Sequence, residues 1–296
     1  LNLKTGISFP KARAKALDEY FKKYNLDYSL DINSKKYAKY PSDITSNSNL
    51  DINTFINQPN NILGIEYIKA LMRFNSKINP VPLKRLGAGY HSLDTRTKLA
   101  SATGIRTAMA NKDNISGLLP DNCLNIIKNH TTIEYNDFST VLGSKLLSMD
   151  TLDHIEGINQ DLSNRIANNK YNFTDIETFM PMLQSKNYTY SAISRALLHI
   201  ILDIKTDGLK EFISNNYVNY AMILGFNKNT GVLSEISKST KIPLVSKFAT
   251  FYKEADNNQR KMLDINLKAD NLYRMIYMNK TSETLPTEFQ RQIIIK

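Results

Sequence analysis

The sequence predicts an α/β chain with a large helical portion, and three observations carry that prediction. Residues 59–112 run through a helical apolar pattern, a short apolar run, a polar loop and a second helical pattern, a piece of an open α/β fold. Residues 113 to about 215 carry one amphipathic helical stripe after another. "YAMILGFN", "GVLSEISKST" and "IPLVSK" then follow as strand, helix and strand, a small β-α-β unit.

Each element has a local cause. In residues 11–24, Ala14, Leu17, Tyr20 and Phe21 recur at helical spacing, with Lys and Arg between them. Residues 25–58 are polar and turn-rich, and "SDITSNSNLDINT" predicts a surface loop. "PNNILGIEYIKALMRF" predicts a helix opening at Pro59-Asn60-Asn61, with Asn as a favourable cap and Ile62, Ile65, Ile68 and Met72 on one face. Gly64 in its first turn costs about 1 kcal/mol relative to Ala, which suggests close packing or ligand approach there. Val81 to Leu86 predicts a short strand whose period-two face ends on Arg85 rather than on an apolar residue. "ASATGIRTAMANKD" predicts a helix capped by Ser101 or Thr103.

Further on, "DFSTVLGSKLLSM", "IEGINQDLSNRIANN", "DIETFMPMLQS" and "YSAISRALLHIILDI" predict four helices. "RKMLDINLKADNLYRMIY" predicts another, and "TSETLPTEFQRQIIIK" a tail that orders only on docking. The division expected is 1–112 as one domain with its helical lead-in and 113–296 as a second, mainly helical one, the β-α-β part covering about 217–296.

The chain of 296 residues has a formal charge of +10, which favours an anionic partner, most readily nucleic acid. Asn, Lys and Ile are abundant, so biased coding explains part of the lysine excess. A single cysteine, Cys123, excludes an intrachain disulfide framework, and His130 near it has no companions at metal-ligand spacing. The longest apolar run, in "ISRALLHIILDI", is broken by Arg195, His199 and Asp203, so no membrane span or secretion signal is expected and a cytoplasmic location is.

The densest chemistry lies at residues 80–109. Gly87 and Gly89 make a backbone-permissive turn after Arg85, and "SATGIR" opens the next helix. A helix head offers unpaired amides and partial positive charge to a phosphate. Ser101 and Thr103 add hydroxyls, and Arg106 adds a two-pronged donor. Asn60, at the preceding helix start, is placed to bond a base or ribose. The plainer alternative has Ser101 or Thr103 as an ordinary cap, Arg106 as a solvated residue, Asn60 as a cap and Arg85 in a surface ion pair. A second constellation, Lys186, Tyr188, Tyr190 and Arg195 in "KNYTYSAISRALLHI", sets aromatics beside cations, as suits unpaired bases and their phosphates. Its alternative is half-buried tyrosines with polar tips. Lys11, Arg13, Lys15 and Arg165 are further candidates for backbone contact.

"PNNILGIEYIKAL", "LKRLGAGYH" and "ASATGIR", in this order and spacing, resemble the bacterial tRNA(Met) cytidine acetate ligase family of the HIGH-type nucleotidyltransferase superfamily. The likeness continues through "LKTGISFPKARAKAL", "EGINQDLSNRI", "KNYTYSAISRALLHIILDI", "ILGFN" and "LDINLKADNLY". The resemblance implies the distal part of a Rossmann-like nucleotidyltransferase domain, followed by a mostly helical tRNA-binding domain. It implies activation of acetate by ATP, with Mg2+, to acetyl-adenylate, and acetyl transfer to the wobble cytidine of elongator tRNA(Met). It maps ATP binding onto Asn60, Arg85, Ser101, Thr103 and Arg106, with Arg85 and Arg106 as the catalytic charge stabilisers. Ala102 stands where many relatives carry a hydroxyl.

None of His91, His130, His154 and His199 lies in the H-x-G-H that the family carries near its start, and residue 1 is Leu. The expectation is a chain without that half-site, inactive by itself in adenylation. His91 is either a contact to acetate or the incoming amine, or a structural loop residue. Two other functions stay open on the residues alone, a non-catalytic RNA-binding module and a small-molecule adenylyltransferase.

Overall fold

The computed structural model of the chain describes residues 9–23, 58–83 and 100–296. Two compact units divide it, Leu1–Asn125 and Ile126–Lys296.

In the first unit, α1 (Phe9–Lys23) ends on Lys22 and Lys23, cations at the negative end of the helix dipole. α2 (Pro59–Arg73) begins with Pro59 at its first position, where a missing amide costs nothing. Its cap is Gln58 rather than an asparagine, because the proline sets the start one residue earlier than the Asn-cap reading requires. Asn60 therefore sits inside the first turn. Glu66 of α2 ties this helix to α1 through Arg13 at 3.3 Å and takes Lys69 at 3.0 Å. Arg13 is thus committed to an ion pair. The strand expected from Val81 is not formed over Val81 to Leu83, and Leu83 is 91% exposed. A strand needs a neighbouring edge, and none of the described residues pairs with this run. α3 (Ala102–Ala110) follows, and α4 (Asp121–Lys128) spans the boundary between the units.

The second unit is built on a helical core. α5 (Ser139–Ser148), α6 (Gln160–Asn169), α7 (Ile176–Leu183) and α8 (Tyr190–Leu202) follow the four expected stripes. Leu142, Leu162, Ile166, Phe179, Leu197 and Ile200 are among the residues they bury together. The helix ends are closed by side chains. Asn159, Asp175 and Thr189 cap α6, α7 and α8, and Asn136 accepts the Ile176 amide at 3.0 Å from forty residues away. α8 stops at Asp203, whose backbone is left-handed (φ 57°). His199 holds the carbonyl of Glu156 at 2.7 Å through Nδ1, which gives that histidine a structural task.

α9 (Thr206–Ser214) leads to the β-α-β region. Here "YAMILGFN" is two strands, β1 (Ala221–Met222) and β2 (Gly225–Phe226). β1 runs through α10 (Val232–Ser239) to β3 (Leu244–Val245), its parallel partner, in the expected β-α-β order. β2 pairs instead with β4 (Ile294–Ile295), also in parallel. The tail is therefore a sheet strand rather than a loose end. The sequence of the tail shows an apolar triplet but not its distant partner. Gly225 makes that pairing possible, since a Cβ there would lie 2.7 Å from the carbonyl oxygen of Ile294.

Between α11 (Phe248–Glu254) and the tail runs α12 (Asn257–Thr281), opened by a reciprocal cap between Asp256 and Gln259. α12 packs Leu272 against the helical core and fastens itself by Lys280 to Asp137, at 2.7 Å. Partial burial opposes ionisation of Asp137, but the Lys280 bond and charge and the Glu134 amide outweigh it and hold the carboxyl below its ordinary pKa. A depressed carboxylate pKa contributes stability that is present above the unfolded value and is lost as pH falls through the folded one. Asp137→Asn is therefore expected to cost about 1–2 kcal/mol at pH 7, from ion pair and cap together. The deficit should shrink as pH falls below about 4, which denaturant titrations at the two pH values check.

Candidate functional site

The head of α3 is the one part of the expected phosphate site that the described residues contain. Ser101 is its cap, extended (φ −72°, ψ 154°) and 1% exposed, with Oγ accepting the Gly104 amide at 3.0 Å. The sequence folds this way because Ser101, Gly104 and Ala108 are small and share the buried face. The opposite face turns Ala102, Arg106 and Thr107 to solvent.

This arrangement separates the expected roles. The Ser101 hydroxyl caps the helix by accepting the Gly104 amide. The amides of Ala102 and Thr103 precede the first intrahelical bond, made by Ile105 to Ser101, so they are the helix's open donors. Thr103 is half-buried and its Oγ1 receives Nη2 of Arg106 at 3.5 Å. Hydroxyl and guanidinium therefore stand together beside two amides, a donor set that suits phosphate oxygens.

Asn60 is exposed, and its side chain makes no hydrogen bond among the described residues. Its neighbour Asn61 instead holds Gln58 at 3.3 Å. Arg85 lies outside the described residues, as do Gly87, Gly89 and His91. Among the described residues no group of three or more His, Cys, Asp or Glu side chains is placed to hold a metal ion.

In the second unit the four expected RNA contacts have different surroundings. Tyr188 packs against the helical core and its hydroxyl bonds Asn159, so it is a packing residue with a satisfied tip. Lys186 is exposed, Tyr190 is 55% exposed at the first position of α8, and Arg195 is exposed one turn further on. Arg195 has no ion-pair partner among the described residues. Arg165, by contrast, pairs with Asp161 on its own helix at 3.3 Å. At the end of α8, Lys205 just past its cap is joined by Lys268 of a distant helix, on which Lys145 of another helix acts. No sequence motif signals this group, because its members are up to 123 positions apart.

The sequence pattern of the HIGH nucleotidyl transferase family matches residues 1–288, and the chain belongs to that family. Among individual relatives it is 30% identical over 287 residues to the tRNA(Met) cytidine acetate ligase of Thermoanaerobacter sp. (strain X514), covering 94% of this chain and 64% of the relative. It is 32% identical over 300 residues to the protein of that name from Clostridium acetobutylicum, covering 99% of this chain and 67% of the relative. The chain thus spans somewhat under two thirds of the length of the Thermoanaerobacter relative. Thermotoga maritima TmcAL, solved in an apo form and bound with alpha-thio ATP, superposes with a TM-score of 0.79 at 22% identity. That overlap covers 99% of this chain and 68% of the other, and it establishes a shared fold. No described helix is long and apolar enough to cross a membrane.

Proposed function

We propose that this chain serves the ATP-dependent acetylation of the wobble cytidine of elongator tRNA(Met), its first unit holding ATP and its helical unit holding RNA. The observation that carries the reading is the open head of α3, with two free amides, Thr103 and exposed Arg106, in a member of the HIGH nucleotidyl transferase family. The names of the curated relatives, and the ATP analogue bound by the T. maritima protein, support the same choice.

In the reaction proposed, a carboxylate oxygen of acetate attacks the α-phosphorus of ATP. The bond to the bridging oxygen breaks and pyrophosphate leaves, giving acetyl-adenylate. The exocyclic amine of the cytidine then attacks the acetyl carbonyl, loses a proton and releases AMP. The protein's contribution is to position reactants and to neutralise the charge spread over the phosphates. The α3 amides and the Thr103 hydroxyl orient a phosphate, Arg106 stabilises its charge with Arg85, and Asn60 contacts the nucleoside. Mg2+ enters as part of the ATP substrate, coordinated mainly by phosphate and water.

Acetate-dependent exchange of labelled pyrophosphate into ATP by the whole protein tests the adenylate. Acetyl transfer to the tRNA without any such exchange would rule that intermediate out. Arg195→Ala is expected to weaken tRNA(Met) binding about tenfold with an unchanged circular dichroism spectrum, since the side chain is exposed and has no ion-pair partner among the described residues. Wild-type affinity in a filter-binding assay would remove Arg195 from the RNA surface.

A further inference from the structure

At its C-terminal end, α8 meets three lysines from three other segments. Lys268 of α12 donates Nζ to the Leu202 carbonyl at 2.7 Å, closing the last turn. Lys205 reaches Asp203 at 3.7 Å, and His154 approaches the other oxygen of the same carboxylate at 3.9 Å. Lys145 of α5 lies near enough to act on Lys268. Burial first, and then the charges of Lys145 and Lys205, lower the Lys268 pKa, while Asp203 alone opposes them. Lys205 thus pairs with Asp203, while Lys268 beside it feels the like charges of Lys145 and Lys205 against the one carboxylate.

Part of this is ordinary helix chemistry, because cations favour a helix C-terminus. One lysine satisfies that need, and Lys268 meets it. Lys145 and Lys205 add repulsion that no further described carboxylate relieves at Lys268. Lys205 keeps more than half of its side chain exposed. Arg195 stands seven residues before Leu202, hence on the same face of α8 and about 10 Å along its axis. Exposed Arg195 and the exposed Lys205 and Lys268 thus lie along the C-terminal half of α8, about two turns apart.

We infer that Lys145, Lys205 and Lys268, gathered at the end of α8, form a docking point for the sugar-phosphate backbone of RNA, continuous with Arg195. This rests on the reading that the chain binds tRNA, and it adds where the strand runs. Lysine contacts to phosphate carry no base information, so the cluster contributes affinity and register rather than base choice. Asp203 sets the strength of the site by offsetting one of its charges.

The test measures fluorescence anisotropy of labelled tRNA(Met) across a series of salt concentrations. Lys145→Gln with Lys205→Gln is expected to lower affinity about tenfold at about 0.1 M salt. Each phosphate that a lysine no longer neutralises reduces the log–log salt slope by about 0.7–0.9, so the pair should remove roughly 1 to 2. Lys268 is left intact because it closes α8. Asp203→Asn, which keeps a residue tolerant of the left-handed backbone, should raise affinity about threefold. That gain is an effect that a purely structural role for the cluster would not give. An unchanged slope in the double variant, or weaker binding in Asp203→Asn, overturns the inference while leaving the tRNA reading in place. No tRNA binding by the unsubstituted protein overturns both. Loss of binding to phosphatidylserine vesicles, with tRNA affinity intact, would assign the cluster to a membrane instead and so overturn the RNA site.

Discussion

Replacing Phe179 by Ala is expected to destabilise the helical unit by about 3–5 kcal/mol, the largest stability loss of any single change considered for this protein. Phe179 is fully buried on α7 and is among the largest side chains wholly removed from solvent. It meets Phe173 edge to face at 5.0 Å between centroids and lies in the cluster that joins α5, α6, α7 and α8. Truncation removes the transfer energy of the ring, the edge-on contact and the packing around it. α7 has little freedom to close the gap, because its first turn is pinned by Asp175 and Asn136 and Pro181 interrupts its hydrogen bonding near the end. A melting temperature lower by on the order of 10 °C is the expected readout. Phe179→Leu, which keeps most of the volume, should lose less than half as much. Tyr171→Ala, at a position 79% exposed, should change stability by no more than about 0.5 kcal/mol. Equal losses at 171 and 179 would show that the cluster is not where the unit's stability resides.

Arg106→Ala is expected to leave folding intact and to raise the Kd for ATP by about 10- to 100-fold. The side chain is exposed and its described contact is a long one, 3.5 Å to the Thr103 hydroxyl, so its removal uncovers nothing. If the guanidinium bonds a phosphate, the interaction is charge-assisted and its loss costs roughly 1.5–3 kcal/mol. Each step of about 1.4 kcal/mol is tenfold in affinity. Arg106→Lys should recover only part of the loss, because an ammonium keeps the charge but not the planar pair of donors. Isothermal titration of ATP into the unsubstituted protein and both variants gives the comparison. Wild-type affinity in Arg106→Ala would take the head of α3 out of the nucleotide site.

The two sites differ in how far sequence reasoning reached. "SATGIR" is a contiguous string, so the helix start, its cap and the arginine one turn in were legible as local spacing. The share-out between Ser101 and Thr103 was not, because burial of Ser101 against its own unit decides which hydroxyl is spent on capping. Tyr188 and Tyr190 look equivalent two residues apart, yet one packs on the core with its hydroxyl bonded to Asn159 and the other stands in solvent. The lysines at the end of α8 were invisible for a simpler reason. Lys145, Lys205 and Lys268 belong to different elements, and no periodicity connects them.

Most helix positions and the β-α-β order follow from interactions within a few residues, chiefly the amphipathic stripe, and these are written in the chain itself. Strand partners are not, since a ladder is a property of two segments. The triplet "III" near the end acquired its role only by meeting Gly225, whose lack of a side chain lets the two backbones close. Charge behaves in the same way. A count of +10 favours an anionic partner. Which of those cations have no partner among the described residues, as Arg195 does, and which are spent, as Arg13 is on Glu66, depends on what folding brings within about 4 Å.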